Sequence, residues 1–463
     1  MPALSLRQPR TRDAGPVDPA IAAGRARPSP LILFGAFDRH NLGDLLLGRI
    51  AGALAEASAP GRPLLFAGAA SRDLREAGGE QVHGLDALIE HWQRESAHDP
   101  QRLPPDLLQA GGEILGCTAW EAAVMLETPD RAAALIRAHD RDLAGREAWA
   151  RQHLGITRAL PYLASGAQLP GGSRIAHTGS GGVGFAHLPA AVRSAALTDL
   201  ATAAVVHVRD RRTQDTLAAA GIEADLTPDP AVLVARVLGT AIGRHAAAGE
   251  AAAMRERFPS GWIAIQVSAE FGDDATLDTL AAGLDRLQRD TGLGLVMFCA
   301  GRAPWHDDPA VLHRLRARLA APADCIVAAS TSLLELCALL AGCTLFLASS
   351  LTCAHRRRSL RPPCGESRPG LRARTGRQAA RLPRDLAWRL ASPPPPRGGG
   401  RDRGSGRGAG RARACTSCPR GRAGRTRRNC VPALPRRAHP QLTRTGSNPE
   451  DLWPSTDLQV PGM

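Results

Sequence analysis

The stretch 31–57, LILFGAFDRHNLGDLLLGRIAGALAEA, decides the fold. Its first seven residues form an apolar run that predicts a buried strand, and residues 41–57 have the apolar spacing of a helix. A short polar turn at 38–40 joins the two. A strand that leads directly into a helix is the unit from which parallel, helix-covered sheets are built.

The same alternation of strand and helix continues through most of the chain. Further strands are predicted at 63–68, 106–116, 173–184 and 203–210, and after an Ala-rich helix at 230–256 a second series follows at 261–268, 293–301, 325–330 and 344–350. This order predicts an α/β protein with two Rossmann-like doubly wound domains in a GT-B-like arrangement, at 30–235 and 257–351. Ligands are then expected at the carboxyl ends of the strands.

Charge is distributed unevenly along the 463 residues. The formal net charge of +14 would by itself indicate a nucleic-acid partner. However, residues 351–463 hold 25 arginines and six acidic residues, whereas residues 1–350 hold 33 arginines and 38 acidic residues. The body is therefore mildly acidic, and we expect it to have no specific nucleic-acid partner.

Two terminal segments lack the composition of a folded domain. Residues 1–29 are rich in Pro and Arg without periodicity, and residues 352–463 are dominated by Arg, Pro and Gly, so both are predicted to be disordered. The second domain is predicted to be incomplete, because it ends where this composition begins. No apolar run reaches the roughly 18–20 residues of a membrane helix, and the N-terminus lacks a signal-peptide core. These features predict a cytoplasmic protein.

Two motifs have both an ordinary and a functional interpretation. Residues 179–184, GSGGVG, match the G-x-G-x-x-G pattern of a phosphate-binding loop, but a tight structural turn lining the cleft is the favoured interpretation. Cys415 and Cys418 with Cys430 and His439 could be compared with a zinc knuckle. Their irregular spacing favours the absence of a metal site.

Three further segments place polar residues at the ends of predicted strands. Residues 35–44, GAFDRHNLGD, form a glycine turn followed by polar residues that open a helix, and an ordinary capped helix start is the plain interpretation. Residues 208–213, VRDRRT, place Arg209 at the end of a strand, where its planar guanidinium is suited to a carboxylate or phosphate. Residues 228–231, PDPA, form a turn near the domain boundary.

These three segments, in this order, resemble the polysaccharide pyruvyl transferase family, and Gly111-Gly112-Glu113 is similar to that family's glycine turn. The resemblance covers about residues 30–351. It implies transfer of a pyruvyl group from phosphoenolpyruvate to a sugar of a surface polysaccharide, without a cofactor. It also implies a sugar or lipid-linked glycan acceptor and is compatible with peripheral membrane association. Arg209 would be the catalytic residue, holding the donor's carboxylate or phosphate. The implied substrate-binding residues are Gly35, Asn41, Gly43, Asp44, Gly112, Asp210, Ser349, Ser350 and Leu351.

The chain departs from the family immediately after Leu351. The family has S-S-L-H at this point, and here Thr352 stands where the resemblance implies a histidine acid. The change to an Arg/Pro/Gly-rich composition begins at the same position. We interpret residues 352–463 as the product of a one-nucleotide frameshift, and we expect this chain to be impaired as a pyruvyl transferase.

Two alternatives remain open at this point. A GT-B-type glycosyltransferase that uses a nucleotide-sugar would have the same two-domain order. A non-catalytic protein whose basic tail binds nucleic acid is the second alternative, and it predicts binding that weakens steeply with salt and is lost when 352–463 are deleted.

Overall fold

The computed structural model describes residues 29–349 except residues 100, 140 and 159. All the described residues belong to one compact unit. The predicted disordered segments lie outside the described residues, apart from Ser29. The same holds for Ser350 and Leu351 of the predicted site and for the cysteines and histidine of the zinc-knuckle comparison.

The first domain is built on a sheet of eight strands in the order β3-β4-β2-β1-β5-β6-β7-β8. Neighbouring strands are parallel except for β3 and β4. The apolar run of β1 lies in the middle of the sheet and is almost entirely buried. The strands are β1 (Leu31–Phe34), β2 (Leu64–Gly68), β3 (Arg72–Asp73), β4 (Gln81–Gly84), β5 (Asp106–Gly112), β6 (Ile175–Ser180), β7 (Val205–Val208) and β8 (Asp225–Leu226). Strands β3, β4 and β8 were missed from the sequence, because two to four residues are too few to show an alternating pattern.

Seven helices accompany this sheet. Three of them, between β5 and β6, pack around the buried Trp120. The helices are α1 (Leu42–Ser58), α2 (Leu85–His98), α3 (Ala119–Met125), α4 (Pro129–His139), α5 (Leu143–Leu154), α6 (Ala190–Leu200) and α7 (Arg211–Ala219).

In the described residues, the second domain has a parallel sheet of four strands in the order β11-β10-β9-β12. Its strands are β9 (Trp262–Gln266), β10 (Gly294–Met297), β11 (Cys325–Val327) and β12 (Leu345–Ala348). Helices α8 (Val234–Ala248) and α9 (Glu250–Arg257) precede it, and α10 (Asp274–Thr291), α11 (Pro309–Ala317) and α12 (Leu333–Gly342) connect its strands. The predicted fold class, two Rossmann-like domains in a GT-B-like order, is confirmed by these two sheets.

Strand β12 is the last strand that the structure describes, and it lies at one edge of the described second sheet. All five residues of β9 are buried, whereas all four residues of β12, at the edge of the described sheet, are only half-buried. Strands with continuous apolar sequence are expected to be covered on both faces. That the second domain is incomplete stays a prediction, because residues 350–463 lie outside the described residues.

Helix α8 ties the two domains together. Leu238 and Ile242 share one core cluster with Ile50 of α1 and Leu339 of α12. The segment Pro230–Ala248 is long and apolar enough to cross a membrane by length and composition, contrary to the expectation from sequence. Its apolar residues instead contribute to the core between the sheets.

Candidate functional site

The carboxyl ends of the two sheets meet where the segment after β1 contacts the loop after β10. The amide of Leu42 donates to the carbonyl of Ala300 at 2.7 Å, and the amide of Arg302 donates to the carbonyl of His40 at 3.0 Å. Asn41 and Gly301 form an isolated antiparallel bridge between these two contacts. We call the region around residues 38–44 and 300–308 the crevice.

His40 holds the crevice together through both of its ring nitrogens. Its Nδ1 accepts a hydrogen bond from the amide of Arg302 at 3.2 Å, and its Nε2 donates to the carbonyl of Thr331 at 2.8 Å. This pair of partners requires the neutral Nε2–H tautomer. His40 therefore connects the first domain to two loops of the second.

Asn41 has the capping role that its position predicts and a second contact besides. Its Oδ1 accepts from the amide of Gly43 at 2.8 Å, which begins α1. Its Nδ2 donates to Nε2 of His306 at 3.5 Å. One planar side chain thus both caps a helix of the first domain and reaches a histidine of the second.

Asp44, in the first turn of α1, forms a buried ion pair with Arg39. Its Oδ2 accepts from Nε of Arg39 at 3.0 Å, and both side chains are buried. A Cβ at Gly112, where φ is +129°, would lie 2.9 Å from Oδ1 of Asp44, so a residue with a side chain would not fit. Asp44 and Gly112 therefore lie against each other in closely packed surroundings, and their predicted role in substrate binding stays a prediction.

Arg209 lies between two acids. Its two terminal nitrogens are 3.2 Å from Glu113 Oε2 and 3.2 Å from Asp229 Oδ2. Oε1 of Glu113 accepts from the amide of Val183 at 2.5 Å. Arg209 is thus at the carboxyl end of β7, as predicted, with its charge balanced by two carboxylates.

The structure gives local structural roles to Asp210 and Gly35, two of the residues that the family resemblance implies bind substrate. Oδ1 of Asp210 accepts from the amide of Thr213 at 2.8 Å, and its Oδ2 accepts from the Thr213 hydroxyl at 2.7 Å. Both oxygens are used to begin α7. A Cβ at Gly35 would lie 2.7 Å from the carbonyl of Ala110 and 2.8 Å from the Phe37 ring. Gly35 is therefore a close approach between strands with no room for a ligand.

The glycine loop 179–184 is a structural turn, as favoured from the sequence. The amide of Gly181 donates to the carbonyl of Gly112 at 2.8 Å, and the amide of Gly182 donates to the Thr213 hydroxyl at 2.9 Å. The amide of Val183 is bound by Glu113. These are the amides that a phosphate-binding loop would offer to its ligand. Because they are satisfied within the protein, the loop cannot cradle a phosphate in this conformation.

Sequence reasoning missed the pair Asp38 and Tyr162. The Tyr162 hydroxyl donates to Oδ1 of Asp38 at 2.9 Å, and the amide of Ala70 donates to Oδ2 at 2.9 Å. Burial raises the pKa of Asp38 and the pKa of Tyr162. The guanidinium of Arg39 lies 5.3 Å from the centre of the Tyr162 ring. No local pattern connects residues so far apart in sequence.

Ser349 lies at the carboxyl end of β12, beside the end of β9. Its hydroxyl is 2.8 Å from the Ser268 hydroxyl and accepts from the Ser268 amide at 2.8 Å. Its amide donates to the carbonyl of Gln266 at 3.1 Å. Ser349 thus belongs to the same edge of the second sheet as the loop of the crevice.

His306 and Asp307 are the two residues of that loop whose pKa values are shifted by burial. Burial, reinforced by Arg39, lowers the pKa of His306 to about 4, so its imidazole is neutral near pH 7. Burial raises the pKa of Asp307 to about 6. Oδ1 of Asp307 accepts from Nε2 of Gln266 at 2.7 Å, and Oδ2 accepts from the amide of Ala300 at 2.6 Å. Neither residue was singled out from the sequence.

A resident metal is not supported by the part of the chain that the structure describes. No cluster of three or more His, Cys, Asp or Glu side chains with metal-ligand geometry occurs there. The five cysteines described, Cys117, Cys299, Cys325, Cys337 and Cys343, are all buried free thiols.

Comparison with known proteins gives only distant likenesses. No protein-family model matches the sequence, and no curated protein matches it. The UDP-GlcNAc 2-epimerase from Methanocaldococcus jannaschii is 11% identical with a TM-score of 0.43, over 72% of this chain and 81% of that one. The enzyme of the same name from Rickettsia bellii is 10% identical with a TM-score of 0.38, over 71% and 76% of the two chains. The E. coli ADP-heptose lps heptosyltransferase II is 11% identical with a TM-score of 0.32, over 72% and 83%. Likenesses at this level do not assign a family to this chain.

Proposed function

We propose that this chain is a transferase that attaches a group to a sugar hydroxyl in the crevice between its two sheets. The observation that supports the proposal is the meeting of both carboxyl edges at one place, through the His40–Asn41 and Ala300–Arg302 contacts. Open α/β sheets bind ligands at such edges. A site shared by two domains can hold a donor on one side and an acceptor on the other.

The acceptor side is the edge of the first sheet. Glu113 is 44% exposed beside Arg209, and a carboxylate accepts hydrogen bonds from sugar hydroxyls. A half-exposed carboxylate within hydrogen-bond reach of a hydroxyl is also suited to take its proton. Arg209 would hold Glu113 in place and balance its charge, which is a positioning role.

Phosphoenolpyruvate is the donor that the family resemblance implies. This donor carries both a carboxylate and a phosphate. Arg39 in the crevice and Arg209 at the end of β7 have mostly buried side chains, and both are paired with acids: Arg39 with Asp44, and Arg209 with Glu113 and Asp229. If this donor bound at Arg209, it would therefore compete with Glu113 and Asp229 for the positive charge of the guanidinium. With Thr352 in place of the family's histidine, we expect binding with little turnover.

A nucleotide-sugar is the second candidate donor, and the start of α12 favours it. Helix α12 begins at Leu333, and its N-cap Ser332 makes no side-chain cap, a feature that it shares with α2, α6, α8 and α9. This N-terminus follows Thr331, whose carbonyl is bound by His40 at the crevice. Uncapped amides and the helix dipole favour a phosphate there.

Thermal unfolding of the full chain with each donor tests the proposal. Phosphoenolpyruvate or UDP-N-acetylglucosamine at 100 times its dissociation constant should stabilise the folded state by about 2.7 kcal/mol. Stabilisation by the nucleotide-sugar alone would favour glycosyl transfer, and stabilisation by phosphoenolpyruvate alone would favour pyruvyl transfer. If neither these donors nor a panel of other nucleotide-sugars stabilises the protein, the proposal is wrong.

A further inference from the structure

Trp305 has an unusual backbone conformation and an exposed ring. Its φ of +67° makes it the only non-glycine residue with positive φ in the described part of the chain. Its side chain is large and apolar, yet the residue is 48% exposed. A bulky residue in the left-handed region is rare and persists only when its surroundings impose it, and such residues are concentrated at binding and catalytic sites.

The loop that carries Trp305 is held firmly on both sides. On one side, Asp307 is bound by Gln266 and by the amide of Ala300. On the other, the amides of Arg302 and Ala303 donate to the carbonyl of His40, at 3.0 and 3.4 Å. The loop is therefore tied to β9 of its own sheet and to the first domain at once. This anchoring accounts for how the strained conformation is kept.

The described contacts do not explain the strained backbone of Trp305 by packing of its side chain in the core. A residue forced into this conformation in order to fill the core would be buried, whereas Trp305 is half-exposed. The next residue, His306, has a neutral imidazole whose Nε2 accepts a hydrogen bond from the side-chain Nδ2 of Asn41. An exposed indole on the same loop as a polar imidazole is a combination that suits a sugar ring, because the sugar's C–H face packs on the indole and its hydroxyls bind polar groups.

We propose that Trp305 is the platform on which a pyranose ring packs, which makes it a specificity-determining residue of the crevice. This inference rests on the proposed function, since it assumes that a sugar enters the crevice. The ligand class is a pyranoside with a continuous C–H face. The loop supplies a rigid indole, and His306 and Asn41 supply hydrogen bonds at its edge.

Saturation-transfer NMR on the full chain tests the inference. The probes are methyl β-D-glucopyranoside and methyl β-D-galactopyranoside, and the variants are Trp305→Phe, Trp305→Ala and Trp305→Gly. Leu143→Ala is the matched control, because Leu143 is also exposed but lies on α5, outside the crevice. We expect Trp305→Ala and Trp305→Gly to weaken glycoside binding at least about tenfold, and Trp305→Phe to retain part of it.

Thermal unfolding of the same variants separates binding from stability. Glycine accepts the positive φ and alanine does not, so the Trp305→Gly midpoint should lie about 2–4 °C above that of Trp305→Ala. Equal loss of binding in two variants of different stability would show that the ring itself binds the sugar.

Two outcomes overturn the inference in distinguishable ways. If the wild-type chain binds a glycoside and the Ala and Gly variants bind it equally well, Trp305 is not the platform, and the proposed function stands. If the wild-type chain binds neither glycoside, both the platform and a sugar site in the crevice are refuted.

Discussion

His177 provides a prediction whose size can be worked out from the structure. It lies in β6 with only 1% of its surface exposed, and neither ring nitrogen has a hydrogen-bond partner among the described residues. Burial lowers its pKa from 6.5 to about 4. Between these values the unfolded chain binds a proton that the folded chain does not.

The sign of the pH dependence follows directly. A folded-state pKa below the unfolded one gives a contribution that is present above pH 6.5 and is lost as the pH falls toward 4. At about 1.4 kcal/mol for each pH unit, the loss amounts to about 3 kcal/mol. That is a large part of a typical unfolding free energy of about 5–15 kcal/mol.

We expect His177→Leu to remove this dependence. Urea unfolding followed by circular dichroism at pH 7, 6, 5 and 4 gives the free-energy difference between variant and wild type. The difference should grow in favour of the variant by about 3 kcal/mol between pH 7 and pH 4. The lowered pKa of His306 changes the unfolding free energy with pH in the same direction as that of His177. The raised pKa of Asp307 acts in the opposite direction, because its contribution to stability is lost as the pH rises toward 6. Both cancel in the comparison.

His313→Leu is the matched control, because His313 is exposed on α11. It should leave the pH dependence as in the wild type. A free-energy difference between His177→Leu and wild type that stays constant from pH 7 to pH 4 would refute the reasoning.

Three further changes test the parts of the crevice. Gly181→Ala places a methyl group 2.7 Å from Arg209 Nε and also against Glu113, so it should abolish the stabilisation that a bound donor gives. Gly243→Ala is the control, because its methyl group would lie in open space on α8 and should leave that stabilisation intact. Equal thermal shifts for the two variants would contradict this expectation. Thr213→Val breaks the link from Asp210 to the Gly182 amide and should cost about 1–3 kcal/mol in urea unfolding, while Thr213→Ser should retain most of the stability. Asn41→Asp keeps the cap on α1 but loses the donor to His306, so donor binding should weaken with little change in melting temperature; Asn41→Ala should also lose about 1 kcal/mol of stability.

The sequence predicts the two-domain fold well because its strands are short apolar runs followed by amphipathic helices. The run at 31–37 and the helix that follows it occur in the structure as β1 and α1, with Asn41 as the cap. The motif at 35–44 predicts the position of the crevice, because parallel strands bring their carboxyl ends to one edge of the sheet.

The sequence could not predict how the residues of the crevice are paired. Arg209 looks like a free anion-binding residue until the fold brings Glu113, 96 residues away, to its side. Asp210 looks like a ligand residue until its oxygens are seen to begin α7. The conformation of Trp305 has no local signal at all, because it is imposed by contacts with β9 and with the first domain.

The central claim is that one ligand is held by the carboxyl edges of both sheets. Hydrogen–deuterium exchange of the full chain, with and without whichever donor stabilises it, measures this directly. The account predicts protection of backbone amides in three segments together: 38–44, 300–308 and 329–333. Protection confined to one sheet's edge, or lying away from all three segments, would contradict it.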